Sequence, residues 1–199
     1  MNNDYIIRDA RKEEAIELAV LVNHAGRGPN NKGLDFVGWS LAAKEGEGPY
    51  EYGGRIIASE EGKYSYLNMR VIEANGKVAA LSLCFEVFER TEEEMKLIPE
   101  EFRIFKELTN TIAGKFYLDS LAALPEFRGN GFGKLILEDS ILRAKNAGYD
   151  EVYLIVFEQN KKALGLYEKA GFKPHLSLPG TGHKDMPYGG NVVLYKKDI

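Results

Sequence analysis

The glycine-rich segment RGNGFG, residues 128–133, lies between an apolar segment typical of a strand and another typical of a helix. The first backbone N–H groups of a helix lack intrahelical partners, and the helix dipole favours an anion at that end. Glycine lets the backbone approach a phosphate closely, and Arg128 adds a planar set of donors. The segment therefore fits either an anion-binding loop or a tight turn that binds no ligand.

Two known phosphate-binding patterns do not fit this segment. A P-loop requires Ser or Thr after its Gly-Lys pair, and here Leu135 follows that pair. The dinucleotide fingerprint requires the spacing G-x-G-x-x-G, whereas Gly129, Gly131 and Gly133 are spaced as G-x-G-x-G. The pattern that is present is R-x-x-G-x-G, which begins at Arg128.

Composition, net charge and cysteine count limit the class of protein to which this chain can belong. The 199 residues are 44% hydrophobic, enough for the core of one large or two small domains, and the net charge of -4 gives no indication of nucleic-acid binding. The single Cys84 excludes an internal disulfide. No apolar run reaches the roughly 18 residues of a membrane span, and the polar start lacks a signal-peptide apolar region. We expect a cytoplasmic protein with neither a membrane nor a nucleic-acid partner.

Hydrophobic periodicity predicts the element order β-α-α-β-β-(α)-β-α-β-α-β-β. The first half is predicted to contain a strand at 4–10, helices at 11–26 and 34–48 with a loop at 26–33 between them, a break in the chain at PYEYGG, and a hairpin around Asn75-Gly76. The second half is predicted to contain a helical segment at 91–115, strands KFYLDSLAALP and EVYLIVF, each followed by a helix, and a final strand pair. The β-α-β-α order of residues 116–171 predicts a parallel strand pair inside a mixed sheet. No Pro-, Gly- or Ser-rich linker divides the chain, so we predict one domain, 1–199, with a helical insertion at about 91–115.

Two motifs together resemble the GNAT superfamily of acyl-CoA N-acyltransferases. The phosphate loop of that family, [QR]-x-x-G-x-[GA], is matched by Arg128, Gly131 and Gly133, and its later motif by Asn160, which opens the helix carrying LYEKAGF. The opening IIRDARKEEAIELAVLVN also resembles the first strand and helix of the family. The likeness covers about residues 5–26 and 116–175, while 27–65 and 91–115 match no pattern.

The resemblance implies an α/β (α+β) fold: a mixed, mostly antiparallel sheet with a central splayed parallel strand pair and helices on both faces. It implies acetyl-CoA as co-substrate, without a metal, in a V-shaped gap between strands 118–124 and 151–157. The pyrophosphate would bind at the glycine-rich loop and the pantetheine arm at the first of these strands. The implied binding residues are Leu121, Ala122, Ala123, Arg128, Gly129, Asn130, Gly131, Phe132, Gly133, Lys134, Asn160 and Tyr167. Strand packing alone also explains the alanines, and helix capping alone also explains Asn160.

Catalytic roles follow from the same resemblance. Tyr167 matches the family's tyrosine, which donates a proton to the CoA sulfur or hydrogen-bonds it; pKa values near ~8.5 for a thiol and ~10 for tyrosine allow this. Ordinary packing is the alternative for Tyr167. The family often uses a carboxylate on a central strand, or a chain of waters, as general base. Asp119 and Glu86 are the candidate carboxylates, and a solvated or structural role is the favoured explanation for each.

The sequence therefore predicts an acetyl-CoA-dependent N-acetyltransferase that acts on a primary amine of a small molecule or peptide. The alternatives are a non-catalytic acyl-CoA-binding or regulatory module, or an acyltransferase with an O-acceptor or a longer acyl donor. Cys84 lacks an activating base in the sequence, and His24, His175 and His183 lack metal-ligand spacing. We expect acceptor contacts from 27–65, 91–115 and 178–190, and a homodimer is compatible with the sequence.

Overall fold

The computed structural model describes residues 4–28 and 33–199. Its strands are β1 Tyr5–Asp9, β2 Met69–Ala74, β3 Lys77–Glu86, β4 Phe116–Ala123, β5 Glu151–Phe157, β6 Lys173–Pro179 and β7 Asn191–Asp198. Its helices are α1 Ala15–Ala25, α2 Leu34–Ala42, α3 Pro49–Ile57, α4 Glu92–Lys96, α5 Glu100–Asn110, α6 Phe132–Asn146 and α7 Lys161–Lys169. The predicted loop at 26–33 falls partly outside the described residues.

The strands form one mixed sheet in the order β1-β2-β3-β4-β5-β7-β6. Strands β4 and β5 are parallel, whereas the β1–β2, β2–β3, β5–β7 and β6–β7 pairs are antiparallel. The hairpin turns at Asn75 and Gly76, whose φ angles of 54° and 72° suit a tight two-residue turn. The predicted mixed sheet with a parallel pair is confirmed.

The parallel pairing of β4 and β5 is short. Its register is Phe116 with Val152, Tyr117 with Tyr153 and Leu118 with Leu154. Beyond that point β4 continues to Ala123 and β5 to Phe157.

The chain divides into two compact units. The N-terminal unit comprises 1–84 and 120–140, and the C-terminal unit comprises 85–119 and 141–199. The boundary falls inside β3, β4 and α6. The prediction of a single domain stays a prediction.

Helix α3 replaces the predicted break at PYEYGG in the N-terminal unit. Its proline occupies the first turn, where the missing N–H removes no intrahelical bond. Gly53 and Gly54 are buried: a Cβ at Gly53 would lie 2.8 Å from the Trp39 ring, and one at Gly54 would lie 2.8 Å from the Ile16 side chain. The predicted break was wrong. Gly53 and Gly54 lie inside a helix, where the absence of a side chain lets the helix pack closely against Trp39 and Ile16.

The predicted helical segment at 91–115 lies in the C-terminal unit and is interrupted by Pro99, the residue before α5. Thr91 caps α4 by accepting the Glu94 N–H, and α5 contacts β6 and β7. On its inner face Ile104 and Leu108 are buried. The helical prediction is confirmed for Glu92–Lys96 and Glu100–Asn110 but not beyond Asn110. The role of the segment as an insertion stays a prediction.

Candidate functional site

The glycine-rich loop of the N-terminal unit has two residues in the left-handed region. Gly129 and Gly131 have φ angles of 87° and 80°. Any other L-residue there costs about 1–2 kcal/mol. A Cβ built on either glycine meets no atom within 4 Å. The backbone therefore favours glycine at these two positions, and the space in front of the loop is open.

The loop is held from both sides. Phe127 before it and Phe132 after it are buried, and their rings lie 6.1 Å apart in a cluster with the β2–β3 hairpin and α6. The Leu124 N–H donates to the Ala79 carbonyl at 2.9 Å, and the Asn130 amide donates to the Phe127 carbonyl at 3.0 Å. These contacts fix the loop before any ligand binds, which reduces the entropy lost on binding.

Helix α6 begins directly at the end of this loop. The N–H groups of Lys134 and Leu135 both donate to the Gly131 carbonyl, at 3.0 and 3.1 Å, and close the first turn. The first N–H groups of a helix have no acceptor within it. In α6 these groups belong to Phe132 and Gly133, and the N–H of Gly131 precedes them. The exposed Lys134 ammonium lies 3.6 Å from Glu138, and Arg128 is exposed. The loop thus presents backbone donors and a guanidinium to solvent.

Strand β4 leads into the loop. Ser120 and Ala122 are buried, while Leu121 and Ala123 are half-buried and pack against the cluster that holds Phe127. The predicted pantetheine-binding backbone is therefore continuous with the core that supports the loop. Asp119 is half-buried on the same strand.

Asn160 and Tyr167 belong to α7 in the C-terminal unit. The Asn160 Oδ1 accepts the Ala163 N–H at 3.2 Å, so the predicted cap is confirmed. Tyr167 is 9% exposed, and its ring centroid lies 6.0 Å from that of Phe172. Local structure therefore gives both residues a packing or capping role, and their roles toward acetyl-CoA stay predictions.

Glu86 interacts with a tyrosine that sequence reasoning missed. The Tyr149 hydroxyl donates to a Glu86 carboxylate oxygen. This hydrogen bond, with smaller contributions from burial and from the carboxylate charge, raises the pKa of Tyr149 to about 12. The next residue, Val87, donates to Lys115 and accepts from Gly114, so Glu86 lies beside the start of β4. Its role as a base stays a prediction, with the carboxylate already occupied by a donor.

Two kinds of site are absent from the described ranges 4–28 and 33–199. No group of three or more His, Cys, Asp or Glu side chains there is placed to hold a metal ion. No helix there is both long and apolar enough to cross a membrane.

Comparison with known proteins identifies relatives of this chain. The model of the acetyltransferase (GNAT) family matches residues 39–172. The ribosomal protein bS18-alanine N-acetyltransferase of Haemophilus influenzae is 29% identical over 62% of this chain and 64% of its own. An N-alpha-acetyltransferase of Saccharolobus solfataricus is 36% identical over 40% of this chain and 47% of its own. The chain thus spans less than two thirds of these relatives.

A solved structure extends the likeness to the fold. The polyamine N-acetyltransferase of Drosophila melanogaster, described as forming N-acetylagmatine, superimposes with a TM-score of 0.65. The match covers 98% of this chain and 100% of the other, at 14% sequence identity, and so concerns the fold alone. With a family model that matches more than half of its length, the chain belongs to the acetyltransferase (GNAT) family.

Proposed function

We propose that the protein transfers the acetyl group of acetyl-CoA directly to a primary amine of a small molecule or peptide. The observation that carries the proposal is the R-x-x-G-x-G loop at the start of α6, where Gly129 and Gly131 are left-handed and face open space. Membership of the GNAT family gives this loop its expected ligand.

The loop fits the pyrophosphate of acetyl-CoA. Backbone N–H groups of Gly131, Phe132 and Gly133 at the helix start suit an anion, and the α6 dipole adds to them. Arg128 supplies a planar set of donors that matches phosphate oxygens. Glycine at 129 and 131 leaves no side chain in the way. The contacts proposed for this group are Arg128, Gly129, Asn130, Gly131, Phe132, Gly133 and Lys134.

Strand β4 is proposed to bind the pantetheine arm through the backbone of Leu121, Ala122 and Ala123. The arm contains two amides, which match backbone donors and acceptors of a strand. The end of regular pairing with β5 at Leu118 supports this assignment, because β4 continues to Ala123 past its last parallel partner.

Bound acetyl-CoA supplies an activated acyl carbon and a thiolate leaving group. Tyr167 donates its hydroxyl proton to the departing sulfur as a general acid. Asn160 contributes its amide to the pantetheine arm in addition to capping α7. The ammonium of the acceptor must first lose a proton, to Asp119, Glu86 or water.

The acceptor is proposed to be an amine, with contacts from 27–65, 91–115 and 178–190. The two curated relatives are named for protein alanine and N-alpha acetylation, so peptides with a free N-terminus come first in a panel. Agmatine and polyamines come next, because the Drosophila enzyme is described as forming N-acetylagmatine.

Release of free thiol from acetyl-CoA across this panel tests the function. We expect acceptor-dependent turnover, with the acetylated amine identified by mass. Binding of CoA without turnover on any acceptor would indicate a binding module, and turnover only on alcohols or only with longer acyl donors would indicate a different acyltransferase. Failure to bind CoA at all would overturn the whole proposal.

A further inference from the structure

The end of α1 contains polar atoms that have lost water without gaining a partner. The Nε of Arg27 and the Nδ1 of His24 are both buried, and neither forms a hydrogen bond in the described part of the chain. The Arg27 N–H donates to the His24 carbonyl at 3.4 Å, so the two residues share one turn. An ionised group that is partly removed from water without a counter-charge is unfavourable.

The same turn lies within the electric field of the glycine-rich loop. Desolvation is the largest effect that lowers the pKa of His24, and the charges of Arg27 and Arg128 lower it further. Glu126 acts in the opposite direction. His24 is therefore close enough to sense the charges of both arginines, one on its own turn and one in the loop of the same unit.

Three other arginines of the N-terminal unit, Arg8, Arg55 and Arg70, have carboxylate partners. Arg8 pairs with Glu14 and Glu73, and Arg70 with Asp9 and Asp139. Across residues 4–28 and 33–199, neither Arg27 nor Arg128 takes part in an ion pair.

One acidic side chain does lie near this turn. Asp35 Oδ2 would be 3.5 Å from a Cβ placed on Gly26, and its other oxygen accepts the Tyr64 hydroxyl at 3.2 Å. Asp35 and Glu126 are therefore the acidic side chains that an incoming anion would meet. Two guanidinium groups without an ion-pair partner still favour an anion over a cation here.

We propose that Arg27, together with Arg128, binds a phosphate group of acetyl-CoA, so that the end of α1 forms part of the cofactor site. This inference rests on the proposed function. Phosphate fits because the planar guanidinium matches its oxygens and because the neighbouring loop is the proposed pyrophosphate site. The terminal nitrogens of Arg27 make the contact, since its Nε is enclosed by protein.

Calorimetric titration with CoA, dephospho-CoA and pantetheine tests the proposal. The variants are Arg27→Gln, Arg27→Lys and the control Arg11→Gln, an exposed arginine ahead of α1. A hydrogen bond to a charged group is typically worth about 10- to 100-fold in affinity. We expect Arg27→Gln to weaken CoA binding by that factor, Arg27→Lys to weaken it less, and Arg11→Gln to leave it unchanged.

The three ligands identify the phosphate. A loss that disappears with dephospho-CoA assigns Arg27 to the 3′-phosphate, and a loss that persists assigns it to the pyrophosphate. Wild-type CoA affinity in a folded Arg27→Gln protein would overturn the inference. Equal weakening of pantetheine and CoA would also overturn it, because the effect would then lie in the fold.

A measurement on the unaltered protein covers the case in which the variants do not fold. Hydrogen exchange of residues 22–28 should slow when CoA is added and should not change when pantetheine is added. Unchanged exchange at saturating CoA would overturn the inference. If the wild-type protein does not bind CoA, the proposed function itself fails; if it binds CoA but Arg27 has no effect, only this inference fails.

Discussion

The glycine-rich loop of the N-terminal unit and helix α7 of the C-terminal unit hold the two motifs of this family, and local structure explains them to different degrees. In α7, Asn160 caps the helix and Tyr167 packs beside Phe172, so each residue has a structural role without any ligand. In the loop, Gly129 and Gly131 face open space, and their left-handed backbone leads directly into a helix start.

This difference decides how strongly each motif indicates a ligand. Where packing or capping already explains why a residue type occurs at a position, only the resemblance to the family motif indicates a functional role for it. A left-handed glycine turn that faces open space and leads into a helix start suits an anion, and no packing contact explains it. Three experiments test this contrast, beginning with the largest expected effect, and a fourth tests the carboxylate Glu86.

The loop should lose its ligand when a negative charge is added at Gly131. Asn and Asp tolerate the left-handed region better than other residues and have the same shape, so Gly131→Asp and Gly131→Asn differ mainly in charge. Two charges 4 Å apart at an effective dielectric of about 20 interact by about 4 kcal/mol. We expect Gly131→Asp to bind CoA at least about 100-fold more weakly than Gly131→Asn, by calorimetry. Equal affinities would place the phosphates elsewhere.

Tyr167 should matter for turnover and little for binding. Tyr167→Phe keeps the ring beside Phe172 and removes the hydroxyl. General acid catalysis is typically worth about 10²–10⁴-fold, so turnover should fall by at least ~10-fold even if water partly substitutes. Acetyl-CoA affinity should stay close to wild type. A folded variant with normal turnover, at a pH where chemistry limits the rate, would leave Tyr167 with packing alone.

Two substitutions of Asn160 distinguish its helix-capping role from a role in ligand binding. Asn160→Ala removes the acceptor for the Ala163 N–H and should lower the free energy of unfolding by about 1 kcal/mol, measured in urea. Asn160→Asp preserves the cap but removes the amide donor, so its stability should stay near wild type while acetyl-CoA affinity falls several-fold. Should Asn160→Asp bind normally, the cap would be the whole role of this residue.

Glu86 should behave as a structural carboxylate. Its hydrogen bond raises the pKa of Tyr149 to about 12. A tyrosine whose pKa is raised by folding stabilises the protein fully below its unfolded pKa of ~10, and this contribution is lost as the pH rises through the folded value. We expect the stability of the wild type to fall across that alkaline range, with a smaller decline in Glu86→Gln.

Turnover provides the second measurement on this pair. Glu86→Gln should keep turnover within about threefold of wild type, because its carboxylate already accepts from Tyr149. Loss of turnover together with loss of the acidic limb of the pH–rate profile would instead identify Glu86 as the base. Asp119→Asn, measured in parallel, tests the other predicted carboxylate.

Much of the fold follows from local sequence. The Asn75-Gly76 turn, the cap at Asn160 and the left-handed glycine at 171 each depend on the conformational preferences of one or two residues. The order of strands and helices around β4 and β5 follows from hydrophobic periodicity. These features were predictable because the chain within a few residues of each one determines it.

Other features depended on residues far apart in the chain. From the sequence, Gly53 and Gly54 predict a break in the chain. In the structure they lie against Trp39 and Ile16, and their missing Cβ atoms permit close helix packing. The hydrogen bond from Tyr149 to Glu86 joins residues 63 positions apart.

The electrostatic effect of the glycine-rich loop on the end of α1 has the same origin. Nothing in the residues around Arg27 indicates that the charge of Arg128 acts on the same histidine. Sequence by itself determined the elements and the loop, because dihedral preference and periodicity are local. Only the tertiary structure decided which side chains lose water and which charges meet, because burial and electrostatics depend on the neighbours that folding brings together.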